Sequence, residues 1–304
     1  MKNVLFFSFG ILVLLSCKDN PPLTLDKGKP LNDVHKKSVG KLAFMNDWIP
    51  FEHFTEEDFQ EELFLTHSSN FGFRMFLENT LTFYLSELEP NLSVEELCKK
   101  GNFQLTFYVD QKEIYKKNLQ TGAGSCEYKN SATVYGVPLV DEEEPDHWGR
   151  FLWMRFMRGQ GGQKALSGGA HSLKLEIRPY IENEQLKVGE IIAQGEVQLT
   201  FLEKEVKEDQ ISVQTIAPTS DWEVSKGMYD SIFIRKLNQK IADDYFKDIT
   251  SIVVVKEGKL VIEEYFNGAN RNTLHDTRSV GKTLTSTVMG IAIDEGYITS
   301  EAKT

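Results

Sequence analysis

Ser279 and Lys282 are the residues whose types and spacing carry the clearest chemistry. They stand three positions apart in Thr273 to Ile298, where Leu284, Val288, Ile291 and Ala292 recur at helical spacing. Positions i and i+3 share a helix face, so the hydroxyl and the amine can approach one another at a helix N-terminus. A serine hydroxyl is a poor nucleophile until a base removes its proton. A lysine acts as that base when burial or neighbouring positive charge lowers its pKa. The helix start adds partial positive charge and free N–H groups, and the N–H of Ser279 can point at a developing oxyanion. The plain alternative is a capping serine beside a solvated lysine, and four residues alone do not separate the two.

The elements that must position this pair are legible upstream. Asp230 to Tyr245 is predicted helical, with Ile234, Leu237, Ile241 and Tyr245 at three- and four-residue spacing and Asp230 or Ser231 placed to cap it. Ile249 to Val255 is a β-branched run, Lys256-Glu257-Gly258-Lys259 a tight turn, and Leu260 to Phe266 a second strand closed by Asn267-Gly268. Together they predict a hairpin. Gly296 suits the position just past a helix C-terminus.

This ordered series, carried by IVVVKEGKLVIEEYFNG and HDTRSVGKTLTSTVMGIAIDEGYI, closely resembles the opening of the serine β-lactamase and penicillin-binding-protein-like family. Its nearest look-alikes are class C β-lactamases, DD-peptidases, esterases and 6-aminohexanoate-dimer hydrolases. The resemblance covers about Trp222 to Thr304. It implies acyl transfer through a covalent acyl-enzyme on a small amide, ester or peptidoglycan-type substrate, without a cofactor. Ser279 would be the nucleophile and Lys282 its base or proton relay. The family also uses a Tyr-x-Asn motif and a Lys- or His-x-Gly triplet. Neither follows Ser279, and Tyr297 is in the wrong place to serve. The expectation is therefore a fragment of the hydrolase domain, inactive as these 304 residues.

The first residues, MKNVLFFSFGILVLLSC, read as an address label. Lys2 supplies the positive start, and the apolar run Val4 to Leu15 is shorter than the roughly 20 residues of a membrane span. Leu14-Leu15-Ser16-Cys17 resembles a bacterial lipobox, which implies cleavage after residue 16 and lipidation of Cys17. The expected location is the bacterial cell envelope, lipid-anchored in the outer membrane and facing the periplasm or the cell surface. Residues 17–40, rich in Pro, Lys, Asp and Asn, are expected to form a flexible tether.

Export makes the remaining cysteines, Cys98 and Cys126, an even pair in an oxidising compartment. They are either one bridge or two separate buried thiols, and spacing alone leaves both open. Lys plus Arg is 34 and Asp plus Glu is 45, so the net charge is 34 − 45 = −11. An acidic chain with no basic stripe is a poor partner for nucleic acid, and no binding to it is expected.

Residues 41–205 are predicted to be strands. Phe103 to Val109, Leu173 to Ile177, Ile191 to Ala193 and Val197 to Phe201 alternate or form short apolar runs, and Phe151 to Met157 reads as a strand buried on both faces. The acidic, aromatic stretch Thr55 to Leu88 is assigned one or two helices, with Glu56-Glu57-Asp58 suiting a first turn. Gly159 to Lys164 lacks the Gly-Lys-Ser/Thr closure of a phosphate loop and is read as a plain loop. Asp141 to Asp146 lacks the spaced ligands of a calcium loop, and neither HExxH nor HxxEH occurs, so no metal site is expected. His147, Trp148, Trp153 and His171 suggest a sugar site, against the plainer reading of core or edge aromatics.

The whole is read as multidomain. An all-β, sandwich-like domain (41–205) and a linker (206–221) lead to the truncated start of an α+β β-lactamase/transpeptidase-like domain (222–304). Two other functions fit the same residues. One is a non-enzymatic surface lipoprotein whose β-domain binds a ligand or partner. The other is a penicillin-recognition sensor that needs acylation but no turnover.

Overall fold

The computed structural model describes residues 22–66, 69–141, 147–202, 204, 206–217, 222–226, 231–246 and 248–300. Cys17, the leader before it and residues 142–146 of the acidic run lie outside the described residues. The chain divides into two compact units, Met1–Glu203 and Lys204–Thr304.

The first unit runs α1 (Asp33–Ser38), β1 (Leu42–Met45), β2 (Glu62–Leu65), β3 (Phe71–Phe76), α2 (Leu81–Leu88), α3 (Val94–Lys100), β4 (Gly101–Val109), β5 (Lys112–Asn118), α4 (Cys126–Lys129), β6 (Val134–Val140), α5 (Trp148–Met154), α6 (Gly162–Ala165), β7 (Ala170–Glu182), β8 (Leu186–Val188) and β9 (Ala193–Phe201). It is a mixture of helix and strand, which corrects the expectation of an all-β domain. One sheet has the order β1-β3-β6, and the other β2-β9-β7-β4-β5 with β8 beside β7. The named strands of this unit pair antiparallel except β2 with β9, and a single parallel bridge joins Lys41 to Gln194.

Both sheets feed one core. Phe44, Phe73 and Val137 come from the first, and Leu105, Phe107, Leu175 and Leu199 from the second. The alternation of β4 is the cause on that side: Phe103, Leu105, Phe107 and Val109 point one way and are all buried. Asp110 and Gln111, both at positive φ, close the two-residue turn into β5.

The helices are capped by the expected chemistry. Thr80 Oγ1 accepts the Phe83 N–H at 3.2 Å, and Ser93 with Glu96 forms a capping box ahead of α3.

Four local expectations are corrected. Phe151 to Met157 is helical, spanning α5 and a following π turn (Arg155–Gly159). Its apolar residues suit either period, and burial of Leu152, Trp153 and Phe156 on one side decides for the helix. The glycine stretch holds the short helix α6. Ile191 to Phe201 contains one strand, β9, which continues through Gly195. A side chain there would meet the Leu42 carbonyl oxygen at 2.1 Å, so only glycine lets β1 and β9 approach. Residues 55–88 hold a 3-10 turn over Glu56–Asp58, as the acidic triplet suggested, and α2, but also two strands, because Leu63, Leu65 and Phe71 to Phe76 are core residues.

The part of the proposed tether from residue 22 onward is also not free chain. Asn130 Nδ2 donates to the Thr24 carbonyl at 2.9 Å, Thr80 Oγ1 donates to the Asp26 carbonyl at 2.5 Å, and α1 buries His35 completely. Polar composition predicts solvation, but here the body of the unit satisfies that segment's backbone.

The second unit contains β10 (Glu223–Val224), α7 (Ser231–Ala242), β11 (Ser251–Lys256), β12 (Lys259–Tyr265) and α8 (Gly281–Asp294). β12 is central, parallel to β10 and antiparallel to β11. Glu257 and Gly258, both at positive φ, close the β11–β12 turn. α7 buries Ile234, Asn238 and Ile241, one face of a 3.6-residue repeat.

Candidate active site

Ser279 sits in a 3-10 turn, Arg278–Val280, that leads directly into α8, and Lys282 is the second residue of that helix. Both side chains are exposed. Among the described residues no hydrogen bond joins Ser279 Oγ to Lys282 Nζ, so the structure places them one turn apart without a direct link.

The backbone before Ser279 is bent sharply. Arg278 adopts φ 42°, a left-handed conformation that a non-glycine residue enters at a cost of order 1–3 kcal/mol. Asp276 holds it, accepting the Arg278 N–H on Oδ1 at 2.9 Å. The Val280 N–H closes back on the Thr277 carbonyl at 3.0 Å. Ser279 thus presents its N–H among the first groups of a helical start, where no preceding carbonyl stands one turn back.

The loop carrying this turn is anchored to the sheet. Arg271, just after β12, pairs with Glu263 through Nε at 2.7 Å and through a second, shorter contact of its terminal nitrogen. Its guanidinium holds the Glu263 carboxyl below the usual range. The same guanidinium donates to the Ala217 carbonyl at 2.9 Å, and Tyr265 Oη donates to Glu263 at 2.6 Å. Beside it Glu264 is fully buried, and burial raises its pKa. It accepts from the Gln214 N–H at 3.0 Å and from Asn238 at 3.2 Å. Sequence reading saw Glu263 and Glu264 only as part of a strand. Their presence in an apolar run was the available signal, since buried carboxylates require partners.

The apolar stripe of α8 faces solvent within this unit: Leu284 is 67% exposed and Val288 64%.

In the first unit Cys98 on α3 and Cys126 on α4 are joined as a disulfide, with their Cα atoms 5.3 Å apart. Of the four residues suggested for a sugar site, His147 and Trp148 are in ring contact, their centroids 5.4 Å apart, while Trp153 and His171 have other partners. Trp153 is buried in the core, edge-on to Phe71 and tilted against Phe156, with ring centroids 5.0 Å apart in each pair. His171 binds Asp110 at 2.7 Å, and that carboxylate raises its pKa. His147 caps α5 by accepting the Gly149 N–H at 3.1 Å. Trp148 lines the cavity described below. No group of three or more metal-ligating side chains occurs among the described residues. Comparison with family models, with curated proteins and with solved structures gave no match.

Proposed function

We propose that this chain belongs to an exported serine hydrolase of the β-lactamase-related type, acting by acyl transfer on a small amide, ester or peptidoglycan-type substrate. Ser279 is the nucleophile and Lys282 the base that takes its proton. The proton leaves Oγ for Nζ, Oγ bonds to the carbonyl carbon, and the developing oxyanion receives the Ser279 N–H. The leaving amine or alcohol then recovers the proton, and water later cleaves the acyl-enzyme. On this reading the first unit, a mixed helix-and-strand domain with a sandwich-like two-sheet core, is tied through lipidated Cys17 to the envelope. The second unit opens an α+β β-lactamase/transpeptidase-like domain.

The observation that supports this best is the left-handed Arg278 immediately before Ser279. A strained non-glycine residue persists where surrounding contacts enforce it, and such residues cluster at functional sites. A merely capping serine needs no such bend. The test is hydrolysis of p-nitrophenyl acetate and nitrocefin by the protein expressed from its own gene and extracted from the envelope. Turnover that disappears in Ser279→Ala supports the proposal. Turnover identical in that variant, or none in either, overturns it.

A further inference from the structure

The first unit contains a cavity of about 800 Å³ between the end of the β4–β5 hairpin, α4 and α5. That volume lies within the usual span of small-molecule sites. Three observations describe what it fits.

The first is its aromatic wall. Trp148 on α5 and Tyr128 on α4 both line it and leave large faces in water, 39% and 50% exposed. Phe151, one helical turn from Trp148, is similarly uncovered. Rings of this size are more often buried, and grouped around one cavity they offer a platform for a flat ring.

The second is charge. Lys117, Lys129 and Arg155 line the cavity against one carboxylate, Glu182. Among the described residues none of the three cations forms an ion pair. The local sign is thus opposite to that of the chain, whose net charge is −11. Lys129 is the most informative, being 3% exposed. Its Nζ donates to the carbonyls of Cys98 at 2.9 Å and Gly101 at 3.2 Å. An ammonium has three N–H groups, so one remains for a ligand. Burial without a counter-charge pushes its pKa down to about 8, so an anion arriving beside it would be favoured.

The third is an orphan. Tyr135 also lines the cavity, is 7% exposed, and its buried hydroxyl has no hydrogen-bond partner. Buried hydroxyls are nearly always satisfied, and an exception beside a cavity calls for a ligand or water.

From these we propose that the cavity binds a small organic anion that carries a ring and a carboxylate. The ring lies against Trp148 and Tyr128, and the carboxylate is held by the cationic lining with Tyr135 Oη as a further donor. The Cys98–Cys126 bridge makes the site rigid, because it pins α4, the element that carries Tyr128 and Lys129, to α3. This site is independent of Ser279, and its failure would leave the acyl-transfer reading untouched.

Two sources share this chemistry, an acidic sugar and an aromatic acid. Calorimetric titration of the full protein with D-glucuronate, phenylacetate and neutral phenylacetamide separates them. At least one acid should bind, and tenfold or more tighter than phenylacetamide. The preferred acid identifies the source. Arg155→Met, at an exposed position, and the near-isosteric Tyr135→Phe should each weaken that binding about tenfold while the melting temperature does not fall. No binding of either acid, equal binding of the amide, or unchanged affinity in both variants would overturn the proposal.

Discussion

Replacing Tyr135 by Phe separates stability from binding at one atom. The Tyr135 ring packs edge-on against Phe103 and Tyr128, each 5.1 Å between centroids, and Phe keeps both contacts. What the change removes is a buried hydroxyl without a partner. Leaving such a group unsatisfied costs about 1–3 kcal/mol. Water reaching the cavity offsets part of that, so the low end applies. We therefore expect Tyr135→Phe to stabilise the first unit by about 1 kcal/mol. That corresponds to a rise of roughly 2–4 °C in melting temperature for a unit of this size. Urea unfolding followed by far-ultraviolet circular dichroism measures it, with an unchanged slope showing that the same surface is exposed. Ligand affinity should move the other way, down about tenfold. A loss of 1 kcal/mol or more would mean the hydroxyl has a partner in the folded chain, and would refute the reasoning for both stability and site.

Three further outcomes follow from the same structure. The double variant Cys98→Ala/Cys126→Ala should lose about 3 kcal/mol of stability, because the bridge closes a loop with a sequence separation of 28; an unchanged urea midpoint would contradict this. Gly195→Ala forces a methyl group into the Leu42 carbonyl and should cost on the order of 1–3 kcal/mol, as overpacking does; a wild-type melting temperature would show that β1 and β9 can separate freely. His35 accepts the Leu31 N–H on Nδ1 at 2.9 Å and donates from Nε2 to the Leu77 carbonyl at 2.8 Å. Burial holds its pKa below the ordinary 6.5. The unfolded chain then binds the extra proton first, so stability present above pH 6.5 falls as pH drops toward the lower folded value. An NMR titration of the His35 ring with a midpoint below 6.5 checks it, and an unshifted curve would contradict it.

Much of the second unit was legible because its signals are local. The β11–β12 hairpin is specified by β-branched strands and a turn containing Gly258, and α7 by the helical spacing of Ile234, Leu237 and Ile241. The first unit was less so, because tertiary contacts decide its ambiguous segments. Phe151 to Met157 is apolar at both periods, and only its packing shows it to be a helix. Residues 22–40 look solvated until Asn130 and Thr80, far away in sequence, hydrogen-bond to their backbone. The cavity was invisible for the same reason: Lys129, Tyr135 and Arg155 come together only once α4, β6 and the π turn after α5 are folded. A trace of it was present in Tyr128 and Lys129, two and three positions after Cys126. Ser279 and Lys282 were legible as a pair, but the bend at Arg278 that presents the serine was not.

The central claim is that Ser279 is a base-activated nucleophile, and covalent trapping tests it most directly. The protein, expressed from its own gene and extracted with detergent from whole cells, is treated with a fluorophosphonate and digested before each aspartate. The peptide from Asp276 to Ile293 is then read by mass spectrometry. The account predicts one adduct on Ser279, absent in Ser279→Ala and strongly reduced in Lys282→Ala. An unmodified peptide, with a control serine hydrolase labelled in the same sample, would contradict it.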